Sequence, residues 1–519
     1  MPKALLRAMV LNGYRARERG QANDRIRKSL KSGIFVQNRR QKVALMGRIL
    51  SCLPTFQLSP RNCIVHTKLI LSIGLISLSV ALSRLSMAAA PERPNIVFIF
   101  GDDAGIDSFG CYGSDRAKGL TPNIDALAQS GVKFERGFAT PLCGPSRCAI
   151  MTGRYGFRTG GLTNQSAGNP SFKDEPALAK ILKQAGYATG MAGKWRQMSD
   201  SPGDWGFDEF ITDPTASGWF WKDNYIKNGQ AIKVDKEIYY PDVASDFAVD
   251  FIRRNREQPF YFYLSEHLIH GPILRTPDSK PDADSNQHYS DNLKYLDKTV
   301  GKMVAELDKL GLREKTMILF STDNGTSKIG YQSQHNTQDQ TGKIGGRAVN
   351  GQKGQLLEGG TRVPLIGNWK GTLSPGGVRS DLIDFTDLLP TFAELASAKL
   401  PEGVKFDGRS FAPQLRGEKG KPREWIFVQL GAGWFVREDN WKLNQSGELF
   451  SMKDAPFVEA LIPKDSTDAE AQAARKRLQT ALDALNPTGG KTVEQGTAKA
   501  KDKTTKKVKK KAERAASKA

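Results

Sequence analysis

Cysteine is scarce in this chain, with five in 519 residues. Cys52 and Cys63 lie in a leader described below, which leaves Cys111, Cys143 and Cys148. Three cysteines are a poor basis for a disulfide scaffold, so Cys111 and Cys148 are expected as buried thiols. Net charge is also missing from the body of the chain. The formal +21 belongs to the ends: residues 1–90 carry 16 Lys and Arg against Glu18 and Asp24, and residues 491–519 carry ten Lys and Arg514 against three acids. What lies between is within one charge of neutral. Overall basicity is therefore no sign of nucleic-acid binding, and none is expected. The apolar run Leu69–Leu82 is shorter than the roughly 20 residues a membrane helix needs.

That run has other uses. Lys68 precedes it, and Ser86-Met-Ala-Ala-Ala90 follows it. A charged flank, a short apolar core and small residues form a signal peptide, so residues 1–90 are expected to be an export leader. The product would be periplasmic or secreted. Pro91 disfavours cleavage directly before it, which points to Ala88 or Ala89. The 67 residues upstream exceed a usual charged region, and Met46 is a candidate internal start.

From Pro91 to about residue 372, apolar β-type runs alternate with helical patterns. This predicts an α/β domain on a mainly parallel sheet. Asn95–Phe100, Pro259–Leu264 and Thr316–Phe320 read as buried inner strands. Thr121-Pro122 opens a helix as cap and first residue, and Ala177–Ala185 reads as another, stopped by Gly186. Residues 373–487 predict a smaller α+β subdomain, with a helix over Asp381–Ala396, strands near 425–429 and 434–437, and a helix from Asp468 to Leu485. The Lys-rich tail, 488–519, is too poor in apolar groups to order itself.

Polar clusters sit directly after the apolar strands, where open α/β sheets place their chemistry. Asp102-Asp103 follows the first strand and Asp323-Asn324-Gly325 follows the strand ending at Phe320. Each alone reads as an ordinary turn. Together they offer three carboxylates and an amide oxygen, hard ligands that suit Ca²⁺ or Mg²⁺ rather than zinc. Cys143-Gly-Pro-Ser-Arg-Cys-Ala-Ile-Met-Thr-Gly-Arg154 places a cysteine before a Pro-started helix with Arg147 near. A positive helix end of this kind favours an anion on or near Cys143, either as a reactive thiol or as an oxyanion site.

Cys-x-Pro-Ser-Arg followed by Thr-Gly-Arg resembles the signature of the type I sulfatases. Gly193-Lys194-Trp195, Glu358-Gly-Gly-Thr-Arg-Val-Pro364 and Asp407-Gly-Arg-Ser410 also resemble family segments, in family order. The resemblance implies an alkaline phosphatase-like fold and oxidation of Cys143 to formylglycine by a maturation enzyme. It implies Asp102, Asp103, Asp323, Asn324 and residue 143 as metal ligands, usually for Ca²⁺. Arg147 would hold the formylglycine hydroxyls, Lys194 and Lys353 would face the sulfate, and His270 would protonate the leaving group. Expected partners are the maturation enzyme and a sulfated small molecule or glycan, and the tail is a candidate contact for acidic polymer or a membrane surface.

One position departs from the pattern. Arg196 stands where the family often has His, and arginine stays protonated, so it would bind charge there without accepting a proton. His267 is the alternative acceptor, and His335, in the polar stretch after Asp323-Asn324, is a candidate to line the pocket. A phosphonate or phosphate-ester hydrolase of the same superfamily and a non-catalytic polyanion-binding protein are the competing readings.

Overall fold

The computed structural model describes residues 93–167, 169–195, 198–213, 220–328 and 339–492. The leader, Arg196, His335 and the tail beyond 492 lie outside the described residues. The chain divides into two units, Met1–Ala90 and Pro91–Ala519, and the description below concerns the second.

Ten strands form one sheet: β1 (Asn95–Gly101), β2 (Val132–Phe138), β3 (Ala188–Gly193), β4 (Glu209–Thr212), β5 (Trp221–Lys227), β6 (Gln230–Tyr239), β7 (Phe260–Ser265), β8 (Thr316–Thr322), β11 (Arg362–Asn368) and β12 (Gly377–Asp384). The two-residue strands β9 (Lys343–Ile344) and β10 (Arg347–Ala348) pair apart from it. The strand order is β12-β2-β11-β8-β1-β7-β3-β4-β5-β6. Only β11 and β5 run against the others, so the mainly parallel sheet expected from the sequence is present. The centre is β8-β1-β7-β3, whose carboxyl ends align: Gly101 pairs with Thr322, Phe100 with Ser265, and Gly193 with Ser265.

Every residue of β1 is buried, because helices cover both faces. Side chains alternate between the two faces of a strand. Ile96, Phe98 and Phe100 accordingly enter one core, with α2 (Cys143–Thr152), α3 (Leu178–Gln184) and α6 (Leu388–Leu395). Val97 and Ile99 enter the other, with α1 (Pro122–Ser130), α4 (Tyr240–Arg254) and α5 (Ser285–Lys309). Five antiparallel strands, β13 (Ile426–Leu430), β14 (Gly433–Arg437), β15 (Trp441–Asn444), β16 (Leu449–Ser451) and β17 (Ala460–Ile462), form a meander. The helix α7 (Ala469–Leu485) shares a core with that meander.

The structure revises three local expectations. The helix expected over Asp381–Ala396 is a strand to Asp384, a 3-10 turn to Asp387 and only then a helix. Asp384 ends the strand, its carboxylate accepting from Thr386 N–H, and β12 pairs with β2 on the main sheet. That sheet thus takes in residues beyond 372. Thr121 precedes α1 but does not cap it with its hydroxyl, which accepts from Gly110 N–H and donates to Asp125. Finally, α2 begins at Cys143 itself, with Leu142 in the capping position. Cys111 and Cys148 are free thiols, half-buried and buried respectively.

Candidate active site

Four segments reach one place because four strands end there. Asp102 and Asp103 follow β1, Lys194 follows β3, residues 266–270 follow β7, and Asp323 and Asn324 follow β8. Backbone hydrogen bonds join the loops. Asp102 N–H donates to Leu268 O (2.8 Å), Ile269 N–H to Asp102 O (2.7 Å), and Asp323 N–H to Gly101 O (3.2 Å). Asp103 takes a positive φ of 57°, a conformation that Asp tolerates better than most residues.

The side chains then converge. Ligand atoms of Asp102, Asp103, Cys143 and His270 all lie within 4.8 Å of one another, and all four residues are buried. Asp323 Oδ1 accepts from Asp103 N–H at 3.2 Å, and Asn324 Nδ2 donates to Asp103 Oδ1 at 3.0 Å. Lys194 pairs with Asp102, and Lys353 Nζ lies 2.6 Å from the Asp103 carboxylate. Arg147 Nη2 is 2.7 Å from Asp323 Oδ2 and 3.8 Å from Asp102 Oδ2. Its Nη1 donates to Ser265 Oγ and Tyr263 OH, and the guanidinium lies over the Phe100 ring.

Three carboxylates this close repel unless positive charge lies among them. Burial first, then Asp323, pushes Asp102 up to about 8 even with Lys194 beside it. Asp102 Oδ1 and Asn324 Oδ1 are buried with no hydrogen-bond partner, whereas buried oxygens are ordinarily satisfied. Two orphaned hard oxygens beside three converging carboxylates are the donor set a divalent cation fits.

The thiol itself is not activated. Burial, then the charge of Asp323, pushes Cys143 up to about 12, against the opposing effect of Lys194 and Lys353. The helix end and nearby cations, which favoured an anion at Cys143, are outweighed by desolvation and by the carboxylate. His270 is changed in a similar way. Burial first, then Lys353 and Lys194, lowers it well below the ordinary imidazole range, so the ring is neutral at neutral pH. Its Nδ1 faces Gly271 O, and its Nε2 is 3.7 Å from Asp103 Oδ2.

His267 lies outside the cluster. It is buried against Asp213, with Nε2 3.3 Å from Asp213 Oδ1, and it packs edge-on to the Tyr240 ring. The alternatives Arg196 and His335 fall outside the described residues. Ser265 and Tyr263, which hold Arg147, escape the sequence reading. The rule that singles out Asp102, a polar residue at the end of an apolar strand, would have found Ser265. Thr326 also escapes it. Its hydroxyl accepts from Gly105 N–H (2.9 Å) and donates to Asp107 Oδ1 (2.7 Å), stitching the loops after β1 and β8 together.

Comparison with known proteins gives this geometry a context. The Sulfatase family model matches residues 94–398. Human arylsulfatase A is 33% identical over 386 residues, spanning 67% of this chain and 73% of its own. Mouse steryl-sulfatase is 30% identical over 441 residues, 66% of this chain and 68% of its own. Among solved structures, the crystal structure of Ps i-CgsB in complex with k-i-k-neocarrahexaose is 26% identical with a TM-score of 0.64, covering 77% of this chain and 94% of that one. With the family model spanning more than half of its length, the chain belongs to the sulfatase family of the alkaline phosphatase superfamily and is a sulfuric ester hydrolase.

Proposed function

We propose that this sulfatase acts on sulfated carbohydrate, with Cys143 converted to formylglycine beside a divalent cation held by Asp102, Asp103, Asp323 and Asn324. The observation that carries the reading is the convergence of three buried carboxylates, two orphaned amide and carboxylate oxygens and Cys143 on one point. Ca²⁺ suits these donors best and Mg²⁺ is compatible. When bound, the cation supplies positive charge that acidifies an oxygen nucleophile at position 143. Formylglycine, once hydrated, supplies the hydroxyl pair that a thiol pushed up to about 12 lacks.

The chain's own residues do the rest. Lys194 and Lys353 present fixed ammonium groups toward the sulfate oxygens, in a site that needs no reorganisation as charge develops. Arg147 is locked by Asp323, Ser265 and Tyr263, so its position relative to residue 143 on the same helix does not drift. His270 is the leaving-group acid. Burial, then Lys353 and Lys194, depress it; an anionic ester between the lysines offsets their share and moves the ring toward holding a proton.

Carbohydrate is supported by the neocarrahexaose in the solved relative. Export by the 1–90 leader, a maturation enzyme as partner, and anchoring of the Lys-rich tail to acidic polymer or a membrane surface complete the reading. The decisive measurement is the mass of the tryptic peptide Gly137–Arg147 from the native host. Formylglycine in place of Cys143 is the expected result, and unmodified cysteine in an active enzyme would overturn the mechanism. Sulfate release from a panel of sulfated oligosaccharides, compared with aryl and steroid sulfates, tests the substrate class. Release from the latter alone would exclude carbohydrate. Equal retention on dextran sulfate with and without residues 493–519 would remove the tail from the account.

A further inference from the structure

Lys353 stands in the segment 350–361, which ends in a short helix over Glu358–Thr361 and enters β11 nine residues after the lysine. Local bonds hold part of it: Lys353 N–H donates to Thr326 O (3.0 Å) and Gly354 N–H to Pro141 O (2.7 Å). Gly360 O and Thr361 O accept from Gly325 and Ala139 N–H at its far end, and further anchors come from the C-terminal meander. Lys442 Nζ, from β15, donates to Leu356 O at 2.7 Å and lies 2.6 Å from Glu459 Oε2. Glu459, just before β17, accepts from Glu358 N–H at 3.1 Å. Arg437, at the end of β14, lies 3.2 Å from Glu358 Oε1, and Asn350 N–H donates to Pro456 O at 2.9 Å.

Glu358, Arg437, Lys442 and Glu459 are all buried, their side chains 2%, 2%, 4% and 3% exposed. Removing four charges from water is expensive, and apolar side chains of similar volume often hold two elements together as well or better. Directional bonds add what apolar packing lacks, a defined orientation of the segment. From this we infer that the C-terminal meander positions Lys353 for the sulfate, with Lys442 and Glu459 as positioning residues that reach the segment three to five residues beyond it. The inference rests on the assignment of Lys353 to the sulfate group.

The test is a double-mutant cycle on the mature, metal-loaded enzyme. Lys442→Met, Lys442→Arg and Glu459→Gln are made in the parent and in Lys353→Ala. Two quantities are read: kcat/KM for p-nitrophenyl sulfate and the calorimetric Kd of inorganic sulfate. Lys442→Met and Glu459→Gln are expected to weaken both about ten-fold in the parent and less than about two-fold in Lys353→Ala, because a positioning residue has nothing left to position. Lys442→Arg, which keeps the charge and a donor, should recover most of the loss. Equal losses in both backgrounds, or none in the parent, would overturn the inference. If Lys353→Ala itself leaves both quantities unchanged, the assignment of Lys353 falls, and the inference with it. Glu459→Gln is the milder change and completes the cycle should Lys442→Met fail to accumulate as folded protein.

Discussion

Arg147 and Asp323, 176 positions apart, meet in a 2.7 Å ion pair with side chains 2% and 0% exposed. Arg147 comes from the helix that Cys143 begins, and Asp323 from the end of β8. The other Asp323 oxygen accepts from Asp103 N–H. One carboxylate therefore ties the Cys143 helix to the aspartate cluster, and disturbing it moves both.

Breaking this pair from one side leaves a buried charge without a partner. Arg147→Ala is expected to cost about 3–5 kcal/mol of stability as well as activity, read by denaturant unfolding. A loss under about 1 kcal/mol would mean that the pair does not organise the site.

The two lysines should separate in behaviour. Lys194 is fully buried on Asp102, whereas the Lys353 side chain is 16% exposed on Asp103. Lys194→Ala is expected to cost about 3–5 kcal/mol together with activity. Lys353→Ala should lower kcat/KM by about 10²-fold with a much smaller shift in Tm. Matching Tm losses for the two variants would contradict the difference in burial.

Divalent cation should stabilise the protein. With Ca²⁺ at 100 times its Kd, linkage supplies about 2.7 kcal/mol, seen as a rise in Tm that chelator reverses. Asp102→Asn should reduce the rise. A Tm that does not change with Ca²⁺, Mg²⁺ or chelator would argue against the proposed metal site.

Glu266 gives a pH dependence away from the catalytic groups. It is 1% exposed, and burial first, then the charge of Asp242, raises it from 4.5 to about 8. Between these values the folded state holds a proton that the unfolded state has released, so stability falls as pH rises from about 4.5 through about 8. Glu266→Gln removes that slope. Its stability relative to the parent should improve steadily from pH 5 to pH 8, and a constant difference across that range would show that Glu266 is not protonated in the fold.

Much of this arrangement is readable in the chain alone. Uninterrupted apolar runs such as Asn95–Phe100 have to be buried on both faces, which calls for a parallel sheet with helices above and below. A polar cluster after such a run has to lie at the carboxyl edge, where Asp102, Lys194, His270 and Asp323 are found. Two of the revised local readings show why the rest was not. Asp381–Asp384 suits a helix by composition, but β2 offers it a parallel partner and pairing prevails. The Thr121 hydroxyl suits a helix cap, but Gly110 and Asp125 claim it.

Residue order alone therefore determined the fold class and the cysteine motif and set the hard oxygen groups of Asp102, Asp103, Asp323 and Asn324 directly after apolar strands, because periodicity and motif spacing are local properties. The tertiary structure decided the ionisation of those groups and who holds them. Cys143 and His270 are shifted by burial and by carboxylates and lysines from distant segments. Arg147 is locked by Ser265 and Tyr263, and Lys353 is carried in a segment anchored by Lys442 and Glu459. Desolvation and Coulomb interactions depend on distances through space, and only the folded chain sets those distances.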